Sequence, residues 1–311
     1  RAPFDGKEVK LYHIDVNDWN SVKENCFTFL NRRQCYPRVV LLWLMYLNEL
    51  HNSRSVISAF PPLRLYGFTS GTKRSADRII GYQQLREMIR LHVPSVLDSV
   101  NEESWRDFLE CMKVGETLPG DHEFIGDIES KHTPERVNSY VWVTSETTAE
   151  MDYPNMFFTE KVLKPMVNGQ ALMCFGQKDF LKNFKKLGFH TLGAEMGIDE
   201  SYDDIKDDER RFIKFVKEVT KISRIPQSEL HERWKGAKLK IIENQRRSVA
   251  MLKNVRNCLA ANVAIHTTDN ILMDYDIDSI LSSTPDKIFD MYRGFFNIDR
   301  IRTEKDKQNG S

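Results

Sequence analysis

The chain has 311 residues, 41% of them hydrophobic, and its 45 Lys and Arg balance 45 Asp and Glu. That length fills one large domain or two ordinary ones, and zero net charge excludes a global field that would draw the chain to nucleic acid or to an anionic membrane. The apolar run "VVLLWLMYL" at 39–47 is half of what a membrane span requires, so no membrane is expected among the partners.

The cysteines Cys26, Cys35, Cys111, Cys174 and Cys258 are odd in number and scattered, and Cys26 and Cys174 lie inside apolar runs. They read as reduced core thiols. With no signal peptide evident at the start, the expected compartment is the cytoplasm, that of a host if the source is viral.

Residues 1–23 read as an N-terminal segment or linker. "CFTFL" (26–30) is β-prone, "NRRQCYPR" is a loop, and "VVLLWLMYLNEL" is too long and too leucine-rich for a strand, which predicts a buried helix. "SVISAF" (55–60) adds a second strand and completes a βαβ unit. Residues 61–135, broken by "PP", "SGTKRS" and "LPGDHE", read as an insertion with one helix near 80–92. "YVWVT" (140–144) is a strand that stops at Ser145-Glu146. Thr159 offers an N-cap, Glu160 and Lys161 open a helix, and Asn168-Gly169 close it before the strand "ALMCF".

Phe180, Leu181, Phe184 and Leu187 have helical spacing, Gly188 is placed to stop that helix, and "FHTL" (189–192) is strand-like. Asp207, Asp208 and Glu209 favour the N-terminus of an amphipathic helix bearing Phe212, Ile213, Val216 and Val219. From about 226 the chain is helical and charged. The expectation is an α/β fold: a Rossmann-like parallel sheet with flanking helices over 24–225, an insertion at about 61–135, and a helical C-terminal region over 226–311.

In such a sheet the ligand sits beyond the carboxyl ends of the strands, and the conspicuous charges fall there. In the helix opened by Thr159, Val162, Leu163, Met166 and Val167 share one face while Glu160, Lys161 and Lys164 share the other. A lysine in a first turn opposes the helix dipole unless an anion lies between them. Phosphate for Lys161 and a ribose diol for Glu160 satisfy both; a solvated Glu-Lys pair on a surface helix is the alternative.

"SET" followed by "FFTEKVLKPMV" resembles the nucleotide-sugar motif of the α-1,3-fucosyltransferases, and "FTFLNRRQCYPRVVLL" is similar to that family's other donor element. The stretch "ALMCFGQKDFLKNFKKLGFHTL" with "IDESYDDI" resembles related phage and bacterial glycosyltransferase-like proteins. The likeness spans about residues 24 to 220. It implies a GT-B type donor-binding domain and a hexosyl- or pentosyltransferase that moves sugar from a nucleoside-diphosphate sugar to a glycan, a protein or a modified DNA base. It further implies that Arg38 and Lys161 bind the diphosphate, Glu160 the ribose and Asn31 the loop or phosphate, with Glu146 near the sugar as the catalytic candidate. Arg32 and Arg33 are two further loop cations, one expected to reach phosphate and the other to be a surface charge, and Thr159 is the expected cap of the donor helix. No cofactor or metal is expected, because without a metal the leaving charge falls to Arg and Lys.

The likeness is incomplete: Glu146-Thr147-Thr148 stands where that family has Glu-Asn-Ser, and the loop to Thr159 is longer. Base and sugar are therefore left open, with Phe157 or Phe158 either stacking on the base or packing in the core.

Two other readings stand beside this one. "NILMDYDIDS" (270–279) carries Asp274 and Asp276, an Asp-x-Asp suited to a metal-dependent glycosyltransferase or, more simply, to a turn. A non-catalytic nucleotide- or glycan-binding module is the other. Were DNA the acceptor, contact would come from Lys73 and Arg74 or from Arg246, Arg247, Lys253 and Arg256. His190 reads as a satisfied core residue.

Overall fold

The computed structural model describes residues 19–31, 35–59, 64–65, 78–79, 81–112, 138–146, 158 and 160–248. The chain divides into two compact units, and apart from Ser248 the described residues belong to the one formed by His13–Pro119 and Thr133–Arg247.

Its first elements are β1 (Asn25–Asn31), α1 (Tyr36–Leu47) and β2 (Ser55–Ala59), followed by the short antiparallel pair β3 (Arg64–Leu65) and β4 (Arg78–Ile79). Then come α2 (Tyr82–His92), α3 (Glu102–Cys111), β5 (Ser139–Ser145), α4 (Glu160–Asn168), β6 (Ala171–Phe175) and α5 (Phe180–Lys186). The single turn α6 (Gly193–Met196), α7 (Asp208–Arg224), α8 (Gln227–Gly236) and α9 (238–248) complete the described chain.

Four strands form one sheet in the order β2-β1-β5-β6, and every neighbouring pair is parallel. This is an α/β, Rossmann-like parallel sheet with flanking helices. From β1 the chain steps outward to β2, whereas from β5 it steps outward in the opposite direction to β6. The strand order therefore reverses between β1 and β5, which makes that boundary the topological switch point.

All seven residues of β5 are buried, as a strand covered on both faces requires. Side-chain alternation assigns the layers. Tyr140 meets Trp234 of α8 at 6.1 Å, while Phe175, of opposite parity in the paired register, stacks on Phe212 of α7 at 4.2 Å. Helix α1 packs on α7, and α4 is tied to α8 and α9 through Trp234 Nε1 on the Gly169 carbonyl at 2.7 Å and Gln245 Nε2 on the Val167 carbonyl at 3.0 Å. One face thus carries α1 and α7, and the other α4, α8 and α9. Helices beyond residue 226 share a core with the sheet.

Three details differ from the sequence expectation. Residues 189–192 form no strand: the segment makes one backbone bond to the sheet, Leu172 N to Thr191 O at 2.9 Å, before Leu192 turns through φ 63° into α6. Ile213 and Leu187 are 42% and 46% exposed, and Phe215 and Phe189 fill the core in their place. Both apolar periodicities were continued one residue past the true face.

Within 61–135, α2 and α3 pack on α1, where Trp43 meets Phe108 at 5.3 Å and donates to Ser99 Oγ at 3.2 Å. A helix apolar all round, such as α1, needs that cover.

Phe108 is fully buried between Trp43, Tyr46 and Trp105. Phe108→Ala is expected to destabilise the fold by about 3–5 kcal/mol in urea denaturation, the cost of a truncated core aromatic. A loss under about 1 kcal/mol would mean that α3 is an appendage.

Candidate functional site

Switch-point geometry follows from how β5 ends. Ser145 and Glu146 are consecutive, so their side chains point to opposite layers. On the α1 side, Arg38 reaches from the first turn of α1, and its Nε and Nη2 donate to the Ser145 carbonyl at 3.3 and 2.9 Å. On the α4 side, Lys161 Nζ donates to Glu146 Oε2 at 3.3 Å. The Glu146 amide donates to the Phe175 carbonyl at 3.0 Å, extending the β5–β6 pairing one residue further. Glu146 is fully buried and Arg38 nearly so, while the Lys161 side chain keeps 21% of its surface in solvent.

Asn31 ends β1 across the crevice. Its amide Nδ2 donates to the Ser58 carbonyl at 3.3 Å and its backbone N–H to Ser58 Oγ at 3.3 Å. The strand ends around the switch point are therefore fixed by side chains as well as by the ladder. Beneath Glu146, burial pushes the Cys174 thiol well above its usual range, and Glu146 and Asp203 push it the same way. Such a thiol is a core group and no nucleophile.

Four sequence-selected residues, Asn31, Arg38, Glu146 and Lys161, are thus gathered at one end of the sheet. Glu160 is the first residue of α4 and shares that end by backbone position. Arg32, Arg33 and Thr159 lie outside the described residues, as do Phe157, Asp274, Asp276, Lys73, Arg74, Lys253 and Arg256. Phe158 packs on Phe180 and Phe184 at 4.9 and 5.7 Å, a core contact. His190 joins Glu243 of α9 at 2.9 Å, and Arg247 pairs with the same carboxylate at 3.2 Å.

Two features of this rim were not read from the sequence. Arg211 of α7 is completely buried over the ring of Phe175, 4.5 Å from its centroid, with Nη2 on the Gly176 and Gln177 carbonyls that follow β6. Its Nε and Nη1 make no hydrogen bond, and burial lowers its pKa against the opposing pull of Asp203 and Asp208. One turn earlier in α7, Asp208 meets His92 at 3.3 Å. No local motif marks either, because both depend on helices distant in sequence.

An open groove of about 520 Å³ runs along α5, lined by Asp179, Lys182, Lys185 and Glu200 among others. Lys182 and Lys185 pair with its carboxylates Asp179 and Glu200, and α5 is only two turns long, so the strand ends are the better candidate. Among the described residues no three His, Cys, Asp or Glu side chains gather as a metal would need, and no helix is long and apolar enough to cross a membrane. Comparison of the chain with protein-family models, with curated proteins and with solved structures finds no match.

Removing one partner of a buried ion pair leaves the other charge uncompensated. Lys161→Ala is expected to cost about 3 kcal/mol, the lower end of the range because the lysine is partly solvated. Adding Glu146→Gln should recover part of that loss. A double variant as unstable as the sum of the two single variants in urea denaturation would show that the pair is uncoupled.

Proposed function

We propose that the chain is a glycosyltransferase that uses a nucleoside-diphosphate sugar, with a GT-B type donor site in the crevice beyond the carboxyl ends of β1 and β5. The observation that carries this reading is the convergence of Asn31, Arg38, Glu146 and Lys161 on the topological switch point, where open parallel sheets place their ligands. These are the positions that the resemblance to the α-1,3-fucosyltransferase donor motif selects, and their meeting at one place agrees with it.

The roles then divide. Lys161, partly solvated at the start of α4, is the cation that meets the diphosphate, and the helix N-terminus adds its dipole. Arg38 bonds the Ser145 carbonyl and holds the end of β5 in place. Its contribution to the donor is positional. Glu146 orients the Lys161 ammonium, which has three donors and so can serve a carboxylate and a phosphate together. Glu160 takes the ribose. The acceptor is a hydroxyl on a glycan, a protein or a modified DNA base.

UDP, GDP, ADP and CDP, each tested in EDTA, provide the test. One of them at 100 times its Kd is expected to stabilise the protein by about 2.7 kcal/mol and so raise its Tm. Lys161→Gln should weaken that diphosphate by roughly 1.5–3 kcal/mol, the scale of a charge-assisted hydrogen bond, and the matching nucleoside far less. If no nucleoside diphosphate binds, the reading fails. Diphosphate binding with no hydrolysis of any nucleotide sugar would establish the non-catalytic module instead.

A further inference from the structure

A transferase needs a group that accepts the proton of the attacking hydroxyl, and Glu146, fully buried and tied to Lys161, is poorly placed for it. The rim of the sheet holds another arrangement. His92 ends α2, and its Nδ1 lies 3.3 Å from Oδ2 of Asp208 in the first turn of α7. A carboxylate only accepts, so Nδ1 is the donor in this contact, and in the neutral ring Nε2 is then the acceptor. Among the described residues Nε2 has no hydrogen-bond partner.

The ring is held on two further sides. Tyr36, the first residue of α1, stacks on it at 4.3 Å with an interplanar angle of 15°, and Phe212 meets it edge-on at 6.3 Å. The side chains of His92 and Asp208 are 22% and 35% exposed, so a substrate can reach the pair.

Its position is fixed by the same elements that build the donor crevice. Tyr36 follows closely on the end of β1 and precedes Arg38 by two residues. Asp208 lies one turn before Arg211, whose guanidinium bonds the main chain just past β6. The dyad therefore stands at the carboxyl end of the sheet, on the α1 and α7 side. Among the described residues, Arg211 interacts electrostatically with Asp208, and the carboxylate of the adjacent Glu209 is already engaged by the Ser95 N–H at 2.8 Å. That last bond is a second tie between the segment after α2 and α7, beside the dyad. A ring clamped by stacking, oriented by a carboxylate and open at its second nitrogen has the geometry of a general base.

We infer that His92 is the general base of the transfer proposed above, with Asp208 as its positioning residue. The acceptor hydroxyl, or water in its absence, gives its proton to Nε2. Its oxygen forms the bond to the anomeric carbon as the bond from that carbon to the diphosphate oxygen breaks, and that electron pair leaves with the nucleoside diphosphate. The imidazolium is stabilised by Asp208 until the proton passes to solvent.

This inference rests on the proposed function, and its test separates the two. The wild-type chain is incubated with a panel of UDP-, GDP-, ADP- and CDP-linked hexoses, and nucleoside-diphosphate release is measured for it and for His92→Gln, His92→Ala and Asp208→Asn. Expected for His92→Gln is a loss in kcat of about 100-fold or more, with donor KM and Tm close to wild type. Imidazole in the buffer should restore part of the turnover of His92→Ala, and Asp208→Asn should lose kcat without losing donor affinity. Turnover of His92→Gln within threefold of wild type overturns the base assignment and leaves the donor site standing. A fall in Tm that accounts for the lost activity, with no rescue by imidazole, also overturns it. A wild-type chain that neither binds nor hydrolyses any donor overturns both proposals.

Discussion

The end of β5 is held from both layers at once, and the rest of this rim takes its position from that grip. A buried carbonyl at a strand terminus must find a donor, and the Ser145 carbonyl finds the Arg38 guanidinium. A carboxylate removed from water must find a counter-charge, and Glu146 finds Lys161. Arg38 comes from α1 on one face to the main-chain carbonyl of Ser145, and Lys161 comes from α4 on the other face to the Glu146 side chain. One pair of adjacent residues therefore sets the start of α1 against one face and the start of α4 against the other. Pro165 strengthens the dependence: it has no N–H to give the carbonyl four residues back, so α4 relies more on its side-chain anchors.

Magnitudes indicate that this grip serves position more than stability. At 3.3 Å and an effective dielectric near 20, the Glu146–Lys161 attraction is on the order of 5 kcal/mol. Desolvating a carboxylate and an ammonium costs several kcal/mol each, so the net contribution is close to zero. An apolar pair of equal volume would hold the layers as well. What the ion pair adds is an ammonium fixed at a helix N-terminus. Arg211 makes the same point on the neighbouring strand. Full burial with two unengaged nitrogens costs stability, offset in part by its face-on contact with Phe175.

The sheet was legible because its strands are short, β-branched or aromatic runs bounded by polar loops, and the helix between β1 and β2 because a twelve-residue leucine-rich run admits no other reading. Lys161 was legible from its place in the first turn of a helix, whereas Asn31, Arg38 and Glu146 came from the resemblance to the α-1,3-fucosyltransferase donor elements, each at a strand-to-helix corner. Their partners were not. That Arg38 bonds a main-chain carbonyl 107 residues away depends on which strand lies beside β1, and no local pattern encodes strand order. Residues 189–192 failed as a strand for a related reason: the composition suits the sheet, but the left-handed turn at Leu192 leaves room for one bond only. His92 was illegible as a partner of Asp208 because 116 residues separate them. They meet because α2 and α7 both pack on α1, which seats the end of one beside the start of the other.

The proposed chemistry depends on which layer each group occupies. Lys161 approaches the strand ends with α4, whereas His92 and Asp208 approach with α2 and α7 on the α1 side, and the end of β5 lies between them. A sugar seated over the strand ends would have its departing diphosphate drawn toward the α4 layer. The attacking hydroxyl would be deprotonated from the other side. Nucleophile and leaving group then occupy opposite sides of the anomeric carbon, which is the requirement for a single in-line displacement and for inversion at that carbon. A double displacement would instead need a carboxylate or comparable nucleophile free on the face opposite the diphosphate. Glu146, the carboxylate at the switch point, faces the α4 layer and is held by the very lysine assigned to the leaving group. Under the proposed function, this division between layers would give transfer with inversion.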